Sequence, residues 1–91
     1  MSLDDASIPQ LAPGVRLQHD RTRGRWVLLA PERVLVPDET AVDVLRRLDG
    51  RASVAGVVAA LAAEYDAPAG LIRDDVLELL ADLQQRGLIA A

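Results

Sequence analysis

The sequence predicts an α+β domain in which a three-stranded antiparallel meander is followed by a three-helix bundle, in the order βββααα. Three observations carry that prediction. Val15 to His19 alternates apolar and polar side chains with period two, and it is followed by two short apolar strands within Arg25 to Val36, the three being punctuated by Gly24 and Pro31. From Asp38 onward the period changes to 3.6, with three apolar stripes separated by breakers. A chain of 91 residues has room for one core only, and with 51% hydrophobic but 2% aromatic residues that core is built from Leu, Val, Ile and Ala.

Residues 1 to 11 carry Pro9, two adjacent aspartates and no sustained period, so they read as a flexible N-terminal arm, leaving residues 12 to 91 as the domain. Val15 to His19 forms the first strand, with Val15 and Leu17 facing inward. The run Asp20-Arg21-Thr22-Arg23-Gly24 has turn chemistry, and Gly24 supplies the positive φ a hairpin loop often needs. Arg25 to Leu29 returns antiparallel. Pro31 fixes the next turn, and Arg33 to Val36 forms a third strand that Pro37 ends by removing a donor.

Asp38 is placed to cap a first helix whose apolar residues Ala41, Val44, Leu45 and Leu48 recur at i, i+3, i+4 and i+7, with Gly50 as its stop. Ser53 caps a second helix built on Val54, Val57, Val58 and Leu61, which ends at Asp66-Ala67-Pro68. A third begins near Leu71 with the stripe Ile72, Val76, Leu79, Leu80 and Leu83. Gly87 suits a left-handed C-terminal cap, with Leu88 folding back on the last turn. The helices must pack on one face of the meander, because a sheet of three strands needs a covering layer to be stable.

Composition excludes several function classes. No cysteine is present, which removes disulfides, thiolate zinc sites and cysteine nucleophiles. No apolar run resembles a signal peptide or could span a bilayer, so a cytoplasmic protein without membrane contact is expected. The lone histidine, His19, lacks a nucleophile and an orienting partner, and no metal-binding spacing or phosphate loop appears, so neither catalysis nor a cofactor is expected. Trp26 and Tyr65 read as residues that close edges of the core. Arg46 and Arg47 read as cations near the end of the first helix.

A net charge of −4 disfavours nucleic acid as a partner. The basic turn Arg21, Arg23 and Arg25 could nevertheless act as the wing of a DNA-binding winged helix, which is the main rival reading. Against it, the third helix carries Asp74, Asp75, Glu78 and Asp82 and would repel phosphates.

What remains is the third strand. Val34-Leu35-Val36 pairs on one side only if the sheet follows the meander, and an uncharged open edge is a hazard unless something covers it. Either another part of the chain, a second copy in a homodimer, or an added peptide strand would satisfy it.

The stretches Pro13-Gly14-Val15-Arg16-Leu17, Leu35-Val36-Pro37-Asp38-Glu39-Thr40-Ala41, Leu48-Asp49-Gly50, Val54 to Leu61, and the closing pattern Asp74, Val76, Leu79, Leu83, Gly87, Leu88, Ile89 occur in an order that resembles the pyrroloquinoline quinone peptide-chaperone family, PqqD, over residues 12 to 90. Asp38 departs from that family's usual Asn but keeps helix-capping ability. The resemblance implies a small winged-helix-like fold and a non-catalytic peptide chaperone. Such a chaperone binds a ribosomal precursor peptide and presents it to a radical S-adenosylmethionine enzyme that joins a glutamate to a tyrosine. The same module also serves as a leader-recognition domain for other ribosomal peptides, which is the alternative. The resemblance further implies that the peptide adds as a strand to Arg33, Val34, Leu35 and Val36 and lies against the third helix. There its contacts would come from among Asp75, Val76, Leu79, Leu80, Asp82 and Leu83.

Overall fold

The computed structural model describes residues 3 to 91. Five strands and three helices follow in the order β1 (Gln10–Leu11), β2 (Arg16–Asp20), β3 (Arg25–Ala30), β4 (Arg33–Leu35), α1 (Glu39–Leu45), α2 (Val54–Tyr65), α3 (Ala69–Gln85) and β5 (Ile89–Ala90). The expected meander is the antiparallel sheet β2-β3-β4, and a second, two-stranded sheet pairs β1 with β5. That second pairing had no sequence signal, because two residues are too few to show a period.

Cross-strand register sorts the meander into two faces. Leu17 sits opposite Leu28 and Leu28 opposite Leu35, so these three form one row. Leu28 is fully buried in the helical core, with Leu17 and Leu35 packed against it. The adjacent row, Arg16, Leu29 and Val34, therefore points the other way, since side chains alternate along a strand. Leu80, Val54, Val57, Val44 and Leu88 complete the buried centre.

Capping chemistry sets the helix limits. The Asp38 carboxylate accepts from the Ala41 amide at 2.8 Å and the Ser53 hydroxyl accepts from the Gly56 amide at 3.1 Å, as expected of both residues. α1 is shorter than its apolar spacing predicts. It ends at Leu45, and Leu48 reaches the core from the following turns. Arg46 and Arg47 are used in tertiary contacts: Arg46 lies 5.1 Å from the centroid of the Trp26 ring, and Arg47 is bonded to Glu64 of α2. At the next loop the Asp49 carboxylate accepts from the Ala52 and Arg51 amides, both at 2.8 Å. These bonds, that from Ala52 first, hold its pKa below the usual carboxylate range. α3 starts two residues before Leu71 and ends as expected. With Gly87 at φ +77°, its amide donates to Gln84 and the Leu88 amide donates to Leu83.

The N-terminal segment differs from the expected arm. Residues 1 and 2 lie outside the described residues, but residues 3 to 11 are bonded to the body. The carbonyls of Ser7 and Asp5 accept from the Val54 and Ala55 amides, which are orphan donors at the start of α2. The Asp5 carboxylate pairs with Arg73 at 2.7 Å, Pro9 is fully buried, and Leu11 stands opposite Ile89 in the β1–β5 pair. Proline and paired aspartates read as loop composition, yet here they satisfy a helix start.

Three outcomes follow. Gly87→Ala, which forces a Cβ into left-handed backbone, should lower unfolding stability by about 1 kcal/mol in urea titrations. A chain beginning at residue 12 should lose about 2 kcal/mol or more, since it uncovers Ile89 and orphans the α2 amides. Because the folded Asp49 pKa is depressed, its contribution is present above the unfolded value and is lost as pH falls through the lowered folded value. The gap in urea midpoint between the parent and Asp49→Ala should therefore close below the ordinary carboxylate range.

Candidate peptide-binding edge and groove

β4 pairs with β3 alone, through Ala30 opposite Arg33, Leu29 opposite Val34 and Leu28 opposite Leu35. Its other edge carries no strand among the described residues. The turn Pro31-Glu32 closes the Ala30–Arg33 pair, so in antiparallel alternation Arg33 and Leu35 bond toward β3. The backbone groups of Val34, and of Val36 beyond the strand end, then face outward. Glu32 holds φ +67° in this turn, a left-handed conformation that type II geometry demands at its second central position.

One end of the edge is fastened to α3. The Arg33 guanidinium donates to the Arg86 carbonyl at 2.5 Å, and Arg86 pairs with Asp82 one turn earlier at 3.2 Å. A cation bonded to the last carbonyls of a helix also suits the helix dipole. At the other end, past Pro37, the chain enters α1 beside an apolar cavity of about 170 Å³. Ala41 and Val44 of α1, Leu61 and Tyr65 of α2, and Ile72, Val76 and Leu79 of α3 line it, with the Asp38 and Asp75 carboxylates among the lining. A shallower groove continues along α3 over Asp75, Glu78, Leu79, Asp82 and Gln85, so Leu79 belongs to both.

This geometry divides the residues singled out from the sequence. Asp75 and Asp82 are exposed on α3, and Leu79 is half-buried between the two grooves. Leu80 is fully buried and Leu83 is 7% exposed, so both face the core and are corrected from candidate contacts to supports of the helix. Val76, 2% exposed, reaches the cavity only as part of its floor. Arg33 is exposed but engaged with Arg86, whereas Val34 and Val36 are exposed at 63% and 53%. Sequence reasoning missed the contributions of Ala41, Ile72 and Tyr65, because their convergence depends on how α1, α2 and α3 cross. His19 lies beside Trp26, with ring centroids 5.0 Å apart, away from the groove. Among the described residues no cluster of three His, Cys, Asp or Glu side chains could hold a metal ion.

An unpaired strand edge next to an apolar helical groove defines a small winged-helix-like recognition module, with the helices on one side of the sheet. The chain belongs to the family described as coenzyme PQQ synthesis protein D (PqqD), whose model matches residues 25–89. It is 56% identical over 88 residues to a PqqA binding protein of Xanthomonas oryzae pv. oryzae, covering 97% of this chain and 96% of that one. In structure it resembles the PqqD portion of Methylobacterium extorquens PqqCD, described as a stand-alone recognition element for ribosomally synthesized, post-translationally modified peptides. That match has a TM-score of 0.84, 39% identity and coverage of 99% and 96%. It also resembles lasso peptide synthetase B1 complexed with its leader peptide, at a TM-score of 0.77, 25% identity and coverage of 93% and 100%.

Filling the cavity offers a direct check on its role. Ala41→Leu should raise unfolding stability by about 0.5 to 2 kcal/mol, as cavity-filling changes commonly do. It should also weaken binding of any peptide side chain seated there, which calorimetry on the same sample would show.

Proposed function

We propose that this chain is the peptide chaperone of pyrroloquinoline quinone biosynthesis. It binds the ribosomal precursor peptide and presents it to the pathway's radical S-adenosylmethionine enzyme for glutamate–tyrosine crosslinking, without itself catalysing the reaction. The single observation that carries this reading is the unpaired edge of β4 beside the groove on α3. Strand addition uses such an edge for backbone hydrogen bonds and neighbouring pockets for side-chain specificity. The relative from Xanthomonas oryzae is named for binding PqqA, and the lasso synthetase B1 was solved with a leader peptide, which supports peptide binding here.

In this mode the peptide runs along Val34 and Val36, passes Leu79, and sets an apolar side chain into the cavity past Pro37. Asp75 and Asp82 flank the path and suit basic peptide side chains. Strand bonds and apolar contacts dominate, because exposed ion pairs contribute little. No helix is long and apolar enough to cross a membrane, and we place the chain in the cytoplasm with its peptide. Duplex DNA is the weaker partner. The exposed face of α3 carries Asp74, Asp75, Glu78 and Asp82, and only Asp82 among them has a salt-bridge partner.

Titration of an isotope-labelled chain with the host's precursor peptide should give saturable amide shifts at Arg33 to Val36 and along Asp74 to Leu83. Val36→Pro removes one outward donor and should lower peptide affinity about tenfold or more, whereas Arg23→Ala, at the far hairpin tip, should leave it within about twofold. Equal losses from the two folded variants would reject strand addition on β4. Concentration-dependent mass without peptide would instead point to β4 pairing with a second copy.

A further inference from the structure

A second groove lies between the β2–β3 hairpin, α1 and the end of α2, and the peptide path along β4 and α3 does not use it. It joins the apolar cavity at the start of α1. Tyr65, 45% exposed, lines both spaces, and Pro37 borders the groove where its neighbour Asp38 borders the cavity. The groove measures about 500 Å³ against about 170 Å³ for the cavity, which is room for a stretch of chain rather than one side chain. Half-buried Trp26 lines it from β3, and Glu39, Asp43 and Arg46, spaced i, i+4 and i+7, line it from one face of α1 and its C-cap. Most charges there are already engaged. Arg46 lies over the Trp26 ring, Glu64 is bonded to Arg47, and Arg25 stands opposite Asp20 across the β2–β3 pair. Glu39 and Asp43 are the exception. Among the described residues neither has a salt-bridge partner, although they stand one helical turn apart, where like charges oppose each other.

We propose that this groove is a second subsite for the precursor peptide, which takes the segment preceding the strand on β4 and seats a cationic group of that segment against Glu39 and Asp43. The assignment rests on strand addition, which supplies its direction. An antiparallel strand continues the pattern of the meander and pairs more stably per residue than a parallel one. Such a strand runs opposite to β4, from the Val36 end toward Arg33, so the peptide residues before it emerge past Pro37. That is where cavity and groove meet. Tyr65 then flanks the segment as it leaves the cavity and Trp26 meets it in the groove, two amphipathic rings that give contact area where no strand edge is available. The cation comes from a basic side chain or from the free amino terminus of the peptide. Either removes the repulsion between Glu39 and Asp43.

The test titrates the isotope-labelled full chain with the host's unlabelled precursor peptide, intact, N-terminally acetylated, and shortened stepwise from either end. Trp26 is the only tryptophan, so its indole N–H gives a single resonance that reports on the groove alone. Intact peptide should shift that resonance saturably, with the same midpoint as the amides of Arg33 to Val36. Shortening from the N-terminus should abolish the indole shift while the strand shifts persist, and should weaken binding about tenfold. Glu39→Gln with Asp43→Asn should weaken the intact peptide about two- to fivefold, as loss of exposed ion pairs does, and leave the shortened peptide within about twofold. If acetylation also abolishes the effect of that double variant, the cation is the amino terminus; if the effect survives, it is a basic side chain, and either source upholds the subsite. Circular dichroism and urea midpoints verify that the variant folds. An indole resonance unmoved by saturating intact peptide overturns the proposal. So does an indole shift that persists until the strand shifts are also lost, or one abolished by shortening the C-terminus instead, which reverses the direction. Failure of strand addition is separately visible, because the amides of Arg33 to Val36 would then stay unmoved by every peptide.

Discussion

Leu28 lies fully buried in a cross-strand row with Leu17 and Leu35, and its contact with the helical core decides which side of the sheet is closed. Everything else about the surface depends on that choice. With period-two alternation, seating Leu28 inward turns Leu29, Val34 and Val27 outward, and a one-residue slip would reverse the set. Three strands covered by helices on one face leave two edges to solvent, and on the other face Val34 is 63% exposed while Val27 is 8% exposed. The proposed peptide edge is drawn from that remainder.

The two edges are treated differently. β2 ends in the hairpin of Arg21 and Arg23, whose charge discourages further pairing, and Asp20 rigidifies the turn by accepting from the Thr22 and Arg23 amides. β4 has no such protection along Val34 and Val36. It is anchored at both ends instead, by the Pro31-Glu32 turn and the Arg33 bond to the end of α3, and by Pro37 and the capped start of α1. A preformed edge loses little conformational freedom when a strand is added, which favours binding by backbone bonds alone. The core supports the same arrangement from behind, since Leu80 and Leu83 fix α3 while Leu79 is left to line the groove.

The second, two-stranded sheet has a mechanical role. β1 and β5 bring the two ends of the chain together over Leu11 and Ile89, and residues 5 to 7 supply acceptors to the start of α2. In a chain with no cysteine and a small aliphatic core, such closure substitutes for covalent stapling. It also keeps the N-terminal segment on the α2 side of the molecule, bonded to Arg73 through Asp5 rather than lying over β4.

Local chemistry in the sequence determined the order βββααα, the caps at Asp38 and Ser53, the Gly87 terminus and the identity of the edge strand, because each is set by period or by residues within one turn. It also exposed the family, through motifs spread over most of the chain. Tertiary structure alone decided the rest. Whether Val76, Leu80 and Leu83 meet peptide or core depends on the rotation of α3 against α2, which a helical stripe wider than one contact face does not specify. The cavity of Ala41, Tyr65, Ile72 and Leu79 exists only where three helices cross. The docking of residues 3 to 11, read from composition as a loose arm, follows from bonds to α2 and β5 that lie far away in sequence. Interactions between distant residues leave no local period, and that is why these features became visible only in the folded chain.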